Sequence, residues 1–134
     1  MVIGIGTDIV SIDRIQAMSE GAVARVLTAD EAAYCAKYPR AGERIAGRFA
    51  AKEAILKALG TGWGQGLGWD QLEILPDELG SPRVTLRGEA HRRMLALGAS
   101  HCFITISHEK TYAVAFAVLV RQEAIDPSLT QTSP

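Results

Sequence analysis

Cysteine is scarce: the 134 residues hold two, Cys35 and Cys102, far apart and without a CxxC pair or metal-type spacing. That excludes a disulfide framework and a thiolate zinc site, and leaves two buried free thiols of a reducing compartment as the expectation. Long apolar runs are absent, and none approaches the roughly 20 residues that cross a bilayer. The start, MVIGIGTDIVSIDRI, carries acids and lacks the basic, apolar, then small-residue order of a signal peptide, so a cytoplasmic chain without a membrane partner is expected. An excess of positive charge is missing too. Fourteen Lys and Arg against fifteen Asp and Glu give a formal charge of −1, without the basic footprint of a nucleic-acid binder. GxxxxGK[ST] occurs nowhere, and GIGTDI lacks the third glycine of a dinucleotide fingerprint, so the standard nucleotide-binding loops are unsupported.

What is present suffices for one core, since 48% of the residues are hydrophobic and the length suits a single domain. Val2 to Asp8 alternates as a strand, with Ile3 and Ile5 on one face and Gly4, Gly6 and Asp8 on the other, and the glycines invite close approach by another element or a ligand. Ile9, Ile12, Ile15 and Met18 follow helical spacing, with Arg14 on the polar side. Thr28-Ala29-Asp30-Glu31 is a capping-box pattern that predicts a helix through about Lys37, stopped by Pro39. The strongest helix signal runs from about Ala41 to Leu59, with Gly60 as its stop. GTGWGQGLG, Gly60 to Gly68, is a loop. Strands are expected over Trp69 to Leu75 and Arg83 to Leu86, then a helix from Gly88 to Leu97. His101 to His108 and Thr111 to Val120 form a hairpin whose alanine face would let the long helix lie close. After Arg121 the apolar pattern lapses, and a frayed tail is expected over 121–134.

Within the long helix, RFAAKEAILKALGTG mixes charge into an apolar surface. Ile45, Phe49, Leu56 and Leu59 make a stripe bordered by Glu53 and Lys57, which as a surface pair would contribute about 0.2–0.5 kcal/mol. Lys52 falls inside the stripe, where an unpartnered ammonium costs several kcal/mol, so an anion or a route to solvent must meet it. Asp8 could face Glu53 across the gap left by the glycines. Two carboxylates without nearby Cys or metal-spaced His suit a hard cation, and Mg²⁺ prefers one or two carboxylates, retained waters and substrate phosphates. The glycine loop is either a connector or a set of backbone amides for phosphate. His91 and His101 read as surface or packing residues, whereas His108, at a strand end beside a tight turn, is open to either role.

Taken together, GIGTDIVSIDRI, RFAAKEAILKALGTG, GSPRV and ISHEKTYAVA, in this order and spacing, resemble the holo-[acyl-carrier-protein] synthases, small 4′-phosphopantetheinyl transferases. The resemblance covers about residues 1–120. It implies an α+β fold, a small, mostly antiparallel sheet packed on a long central helix, and transfer of 4′-phosphopantetheine from coenzyme A to a serine of apo acyl carrier protein, releasing adenosine 3′,5′-bisphosphate in support of fatty acid biosynthesis. It further implies Mg²⁺ on Asp8 and Glu53, Lys57 near the reacting phosphate, and Glu53, directly or through water, as proton acceptor. Arg48, Gly60, Thr61, Gly62, Pro82 and His108 match positions around the coenzyme. Arg14, with Met18 beside it, matches a position that meets the acidic carrier, and Arg25 is a weaker candidate. A homotrimer with sites between subunits is implied as well. A non-catalytic module binding coenzyme A and carrier, or a metal-dependent nucleotide phosphohydrolase, is the alternative.

Overall fold

A computed structural model describes residues 1–123 and Ser128. Strand β1, Val2–Ser11, leads into a single turn of helix α1, Ile12–Gln16, followed by α2, Glu20–Val26, and α3, Ala29–Ala36. The long helix α4, Ala41–Leu59, crosses the molecule. Then come β2, Leu72–Pro76, β3, Pro82–Leu86, helix α5, Gly88–Ala96, and the hairpin strands β4, His101–His108, and β5, Tyr112–Val120. Two antiparallel sheets result, one of three strands ordered β1-β5-β4 and one hairpin of β2 with β3. This is the expected α+β architecture.

The alternation in β1 and β5 decides how helix meets sheet. In β5, Ala113, Ala115, Ala117 and Leu119 are buried, whereas Tyr112, Val114 and Phe116 face outward. The glycines of β1 complete the flat inner face: a Cβ on Gly6 would stand 2.0 Å from the Ala54 carbonyl oxygen, and one on Gly4 would stand 2.3 Å from that of Ala58. Those glycines therefore admit a helix rather than a ligand. From the helix side, Ala46, Ala50, Ala51, Ala54 and Ala58 allow the same approach, and Ile55 and Leu59 fill the remaining space.

Helix ends follow the chemistry of their sequences. Thr28 and Glu31 form a full capping box at α3, and Gly60 closes α4 at φ 70°, a left-handed value that suits glycine. Asp77 Oδ1 accepts from the backbone N–H groups of Leu79 and Ser81 and shapes the turn between β2 and β3.

Several expectations need correction. The helical spacing from Ile9 is misleading, because the strand continues to Ser11 and Ile9 lies exposed on the sheet. Helix α2, capped by the Ser19 hydroxyl, was not anticipated. Trp69–Gln71 forms one 3₁₀ turn before β2 begins at Leu72. The apolar face of α4 is broader than the expected stripe: burial wraps most of its circumference from Ala46 to Leu59, with Ile45 and Phe49 only half-buried. Both cysteines are free, as expected, but Cys35 is buried and Cys102 only partly so. Burial pushes the Cys102 thiol up to about 12 and raises that of Cys35, so neither is a thiolate at neutral pH. Arg121 continues the β1–β5 pairing by exchanging backbone bonds with Met1, and the Gln122 N–H donates to Ser100 Oγ; beyond Glu123 the expected tail lies outside the described residues, Ser128 apart. No helix among the described residues is long and apolar enough to cross a membrane.

Candidate active site

Asp8 sits on the inner face of β1, one alternation beyond Gly6, which brings it onto α4. There Lys57 Nζ donates to Asp8 Oδ1 at 3.2 Å and to the Thr7 carbonyl oxygen at 2.9 Å. Lys57 thus bridges helix to strand and does not pair with Glu53 four residues earlier, contrary to the simple helical ion pair. Glu53 is instead held by the Trp63 indole, whose Nε1–H donates to Oε1 at 3.1 Å. Gly60, Thr61 and Gly62 leave the helix directly after its last residue, Leu59. The Thr61 N–H donates to the Leu56 carbonyl at 3.2 Å, and Gly62 has open space where a side chain would be.

Does this donor set fit a divalent cation? The groups are oxygens on two carboxylates, one neutralised by Lys57 and the other without an ion pair. No cluster of three or more His, Cys, Asp or Glu suited to a metal exists among the described residues. A cation here would take two protein carboxylates at most and fill its shell from water and substrate, as Mg²⁺ does. By donor type, two carboxylates suit such an ion.

A second group of expected residues lies at the other end of α4. Arg48, Pro82 and His108 line a cleft of about 440 Å³ together with Tyr34, Tyr38 and Arg44. Arg48 is almost fully buried, donates through Nε to the Ile74 carbonyl at 3.2 Å, and lies over the Tyr34 ring at 4.4 Å. Arg44 stacks over Tyr38 at 4.2 Å and donates to His108 Nε2 at 3.0 Å. Because a guanidinium can only donate, Nε2 accepts and the ring proton of neutral His108 sits on Nδ1, 3.7 Å from Glu43 Oε2. Arg44 Nε is buried without a hydrogen-bond partner, a donor that an anion in the cleft would satisfy. Arg44 is not among the expected site residues, although its place one helical turn before Arg48 is a signal in the sequence. Trp63, hidden among glycines, is not among them either.

Arg44 and Lys57 are separated by about 20 Å along the helix axis at 1.5 Å per residue. Glu53 and Arg48, five residues apart, stand about 8 Å apart along the axis and about 140° apart around it, so the two groups face different sides of the helix. Arg14, exposed on α1, lies 5.8 Å from the Phe49 ring centroid, and Met18 lines an apolar groove with Ile15, Val23, Leu27 and Ile45. Arg25 is exposed on α2.

The Gly-cleared strand, the alanine-faced sheet and the long helix that carries both charged groups define a small α+β protein. The chain belongs to the 4′-phosphopantetheinyl transferase superfamily, whose sequence profile matches residues 4–117. Among its relatives, the holo-[acyl-carrier-protein] synthases of Alkalilimnicola ehrlichii and Solidesulfovibrio magneticus are 43% and 46% identical over 124 and 123 residues. The alignments span 89% of this chain and 97% and 98% of those proteins. The fold is also that of the crystal structure of the Neisseria meningitidis holo-[acyl-carrier-protein] synthase, with TM-score 0.81, 32% identity, and 90% of this chain and 100% of that one covered. The Bacillus anthracis holo-(acyl-carrier-protein) synthase, solved in complex with CoA (3′,5′-ADP), superposes with TM-score 0.77 at 35% identity, covering 91% of this chain and 99% of the other.

Proposed function

We propose that this protein transfers the 4′-phosphopantetheine group of coenzyme A to a serine hydroxyl of an apo acyl carrier protein, releasing adenosine 3′,5′-bisphosphate. The observation that carries this reading is the contact of Lys57 with Asp8 beside an otherwise unpaired Glu53, in a chain that matches holo-[acyl-carrier-protein] synthases along nearly its full length. In the reaction the serine oxygen forms a bond to the phosphorus bearing pantetheine, the bond from that phosphorus to the bridging oxygen breaks, and adenosine bisphosphate leaves with the electron pair. The serine proton passes to Glu53, directly or through a water.

Asp8 and Glu53 would hold Mg²⁺, which when bound neutralises charge on the pyrophosphate. Lys57 can leave its exposed contact with Asp8 to meet the reacting phosphate, at small cost because a surface ion pair contributes about 1 kcal/mol or less. Gly60, Thr61 and Gly62 allow the backbone to approach the coenzyme. Arg44, Arg48 and His108, with Pro82 in the wall, receive its anionic nucleotide end.

We assign the separated halves of the site to neighbouring subunits of a homotrimer. Support comes from the outer sheet face, where Ile5, Ile9, Phe103, Tyr112, Val114 and Phe116 are all exposed and adjacent by strand register. Arg14 and Met18 would dock the acidic carrier, the first by charge and the second by apolar contact. A cytoplasmic location and a role in fatty acid biosynthesis, hence lipid metabolism, follow from the same reading.

Incubation with coenzyme A, Mg²⁺ and apo carrier tests it, with intact-mass measurement on the carrier. The expected result is a mass gain of one phosphopantetheine group. An unchanged carrier overturns the proposal, pointing to a binding module if coenzyme A stays intact or to a phosphohydrolase if it is cleaved.

A further inference from the structure

The loop after α4 is rich in glycine, with Gly64 and Gly66 at φ 106° and 86°, yet one residue in it is firmly seated. The Trp63 ring stacks on Trp69 with centroids 3.9 Å apart and planes inclined by 29°, and Trp69 stacks in turn on Phe49 at 5.3 Å. The backbone beneath the stack is tied down as well, because Lys52 Nζ, fully buried, donates to the Trp69 carbonyl at 3.0 Å. Gly64 and Leu67 exchange two backbone hydrogen bonds that close the loop behind Trp63. Stacking alone would need only a flat ring. The indole also carries an N–H, and that N–H points at Glu53 Oε1.

Glu53 has little else to hold it. Its neighbours on the same helix face are Phe49, Ala50 and Leu56, none of which can hydrogen-bond its carboxylate, and Lys57 is turned to Asp8 and Thr7. Among the described residues, Trp63 supplies the hydrogen bond to this carboxylate, and Oε2 has none. An indole N–H donates once and accepts nothing, so it restrains one oxygen without competing as a metal ligand. We infer that Trp63 is a positioning residue: its indole N–H fixes Oε1 of Glu53 and leaves Oε2 to face the divalent cation and the substrate. This rests on the proposed transferase reading. It goes further by naming a loop residue, anchored through Trp69 to the buried Lys52, that sets how the cation is taken up. A donor of this kind behind a metal-binding carboxylate typically contributes 10- to 100-fold in metal affinity or activity.

The test compares Trp63→Phe, which keeps a stacking ring, with Trp63→Leu, which does not. Amide and indole NMR spectra of the metal-free protein give a readout independent of activity: the indole signal lost in Trp63→Phe should move in Glu53→Ala, and Mg²⁺ added without coenzyme A should move it in the wild type. Trp63→Phe should retain the wild-type unfolding temperature and raise the Mg²⁺ concentration for half-maximal rate about tenfold or more. Two results would overturn the inference: an indole signal indifferent to Glu53→Ala, or a Trp63→Phe enzyme with wild-type Mg²⁺ demand while Trp63→Leu fails. A wild type without transferase activity would instead refute the transferase reading, a separate outcome.

Discussion

Lys52 Nζ and Glu31 Oε1 meet at 2.7 Å with both side chains fully buried, one from the middle of α4 and one from the capping box of α3. The ammonium also donates to the carbonyls of Val26 and Trp69, and the carboxylate accepts from the backbone N–H groups of Thr28 and Ile74. All three Lys52 donors are thereby used. Burial pulls the lysine down from its ordinary value, and the hydrogen bond and charge of Glu31 oppose that pull. Lys52→Met leaves the carboxylate buried and unpaired, which should cost about 3–5 kcal/mol in urea unfolding. A loss below about 1 kcal/mol would mean that water replaces the ammonium.

A second carboxylate on the same network gives the fold an acid dependence. Glu73 Oε2 accepts from the Thr28 hydroxyl at 2.6 Å, and Oε1 from Arg87 at 3.1 Å. The Thr28 hydrogen bond, ahead of opposing desolvation and then Arg87, holds the Glu73 carboxyl below its ordinary 4.5. A depressed carboxylate contributes stability at pH above the unfolded value and loses it as pH falls through the native one. The stability difference between wild type and Glu73→Gln should therefore shrink from about pH 5 to about pH 3. Equal pH slopes for the two proteins would show that Glu73 gains nothing from its partners.

Residues whose role depends on local geometry were legible in the sequence. The α4 boundaries, the Thr28–Glu31 box, the glycine face of β1 and the alanine face of β5 each follow from periodicity or capping within a short window. What escaped depends on contacts across the chain. Nothing near Lys52 announces Glu31, which looks fully employed in a capping box. Nothing near Glu53 announces that Lys57 turns to Asp8 while a tryptophan ten residues on takes its place. Ile9 misled because a strand and a helix start share the same isoleucines. For the site, residue types and order were readable, but the partners that Lys57, Glu53 and His108 take were not.

The close approach at Gly6 makes a sharp steric prediction. A methyl group there meets the backbone carbonyl of Ala54 at 2.0 Å and the Ala58 nitrogen at 2.8 Å, atoms that cannot rotate away. Gly6→Ala should lower stability by about 3 kcal/mol. It should also reduce the rate of the folded fraction, because Asp8, two residues on, is pushed away from the helix. Gly21→Ala, on helix α2 with open space at its Cβ, is the control: it should leave the rate unchanged and raise stability by about 0.5–1 kcal/mol.

Glu53 borders the core without filling it. Glu53→Gln should lower turnover by about 10²-fold or more, as loss of a general base does. Its unfolding free energy should stay within about 0.5 kcal/mol of wild type, the range of substitutions outside the core. Parallel losses in initial rate and urea midpoint would make Glu53 a structural residue.

The distance between Lys57 and the arginine cleft can be turned into a complementation experiment. Lys57→Ala damages only the carboxylate half, and His108→Ala, on an exposed strand end, only the cleft half. If each site takes one half from each of two neighbouring subunits, either variant alone has no intact site. Hybrids contain some interfaces at which the good halves face each other. Random exchange in a closed ring restores about one interface in four. Mixing the two variants under conditions that allow subunits to exchange should thus raise the rate to about a quarter of wild type. A mixture no more active than its components, with exchange verified by sedimentation of labelled chains, would place both halves at work within a single subunit.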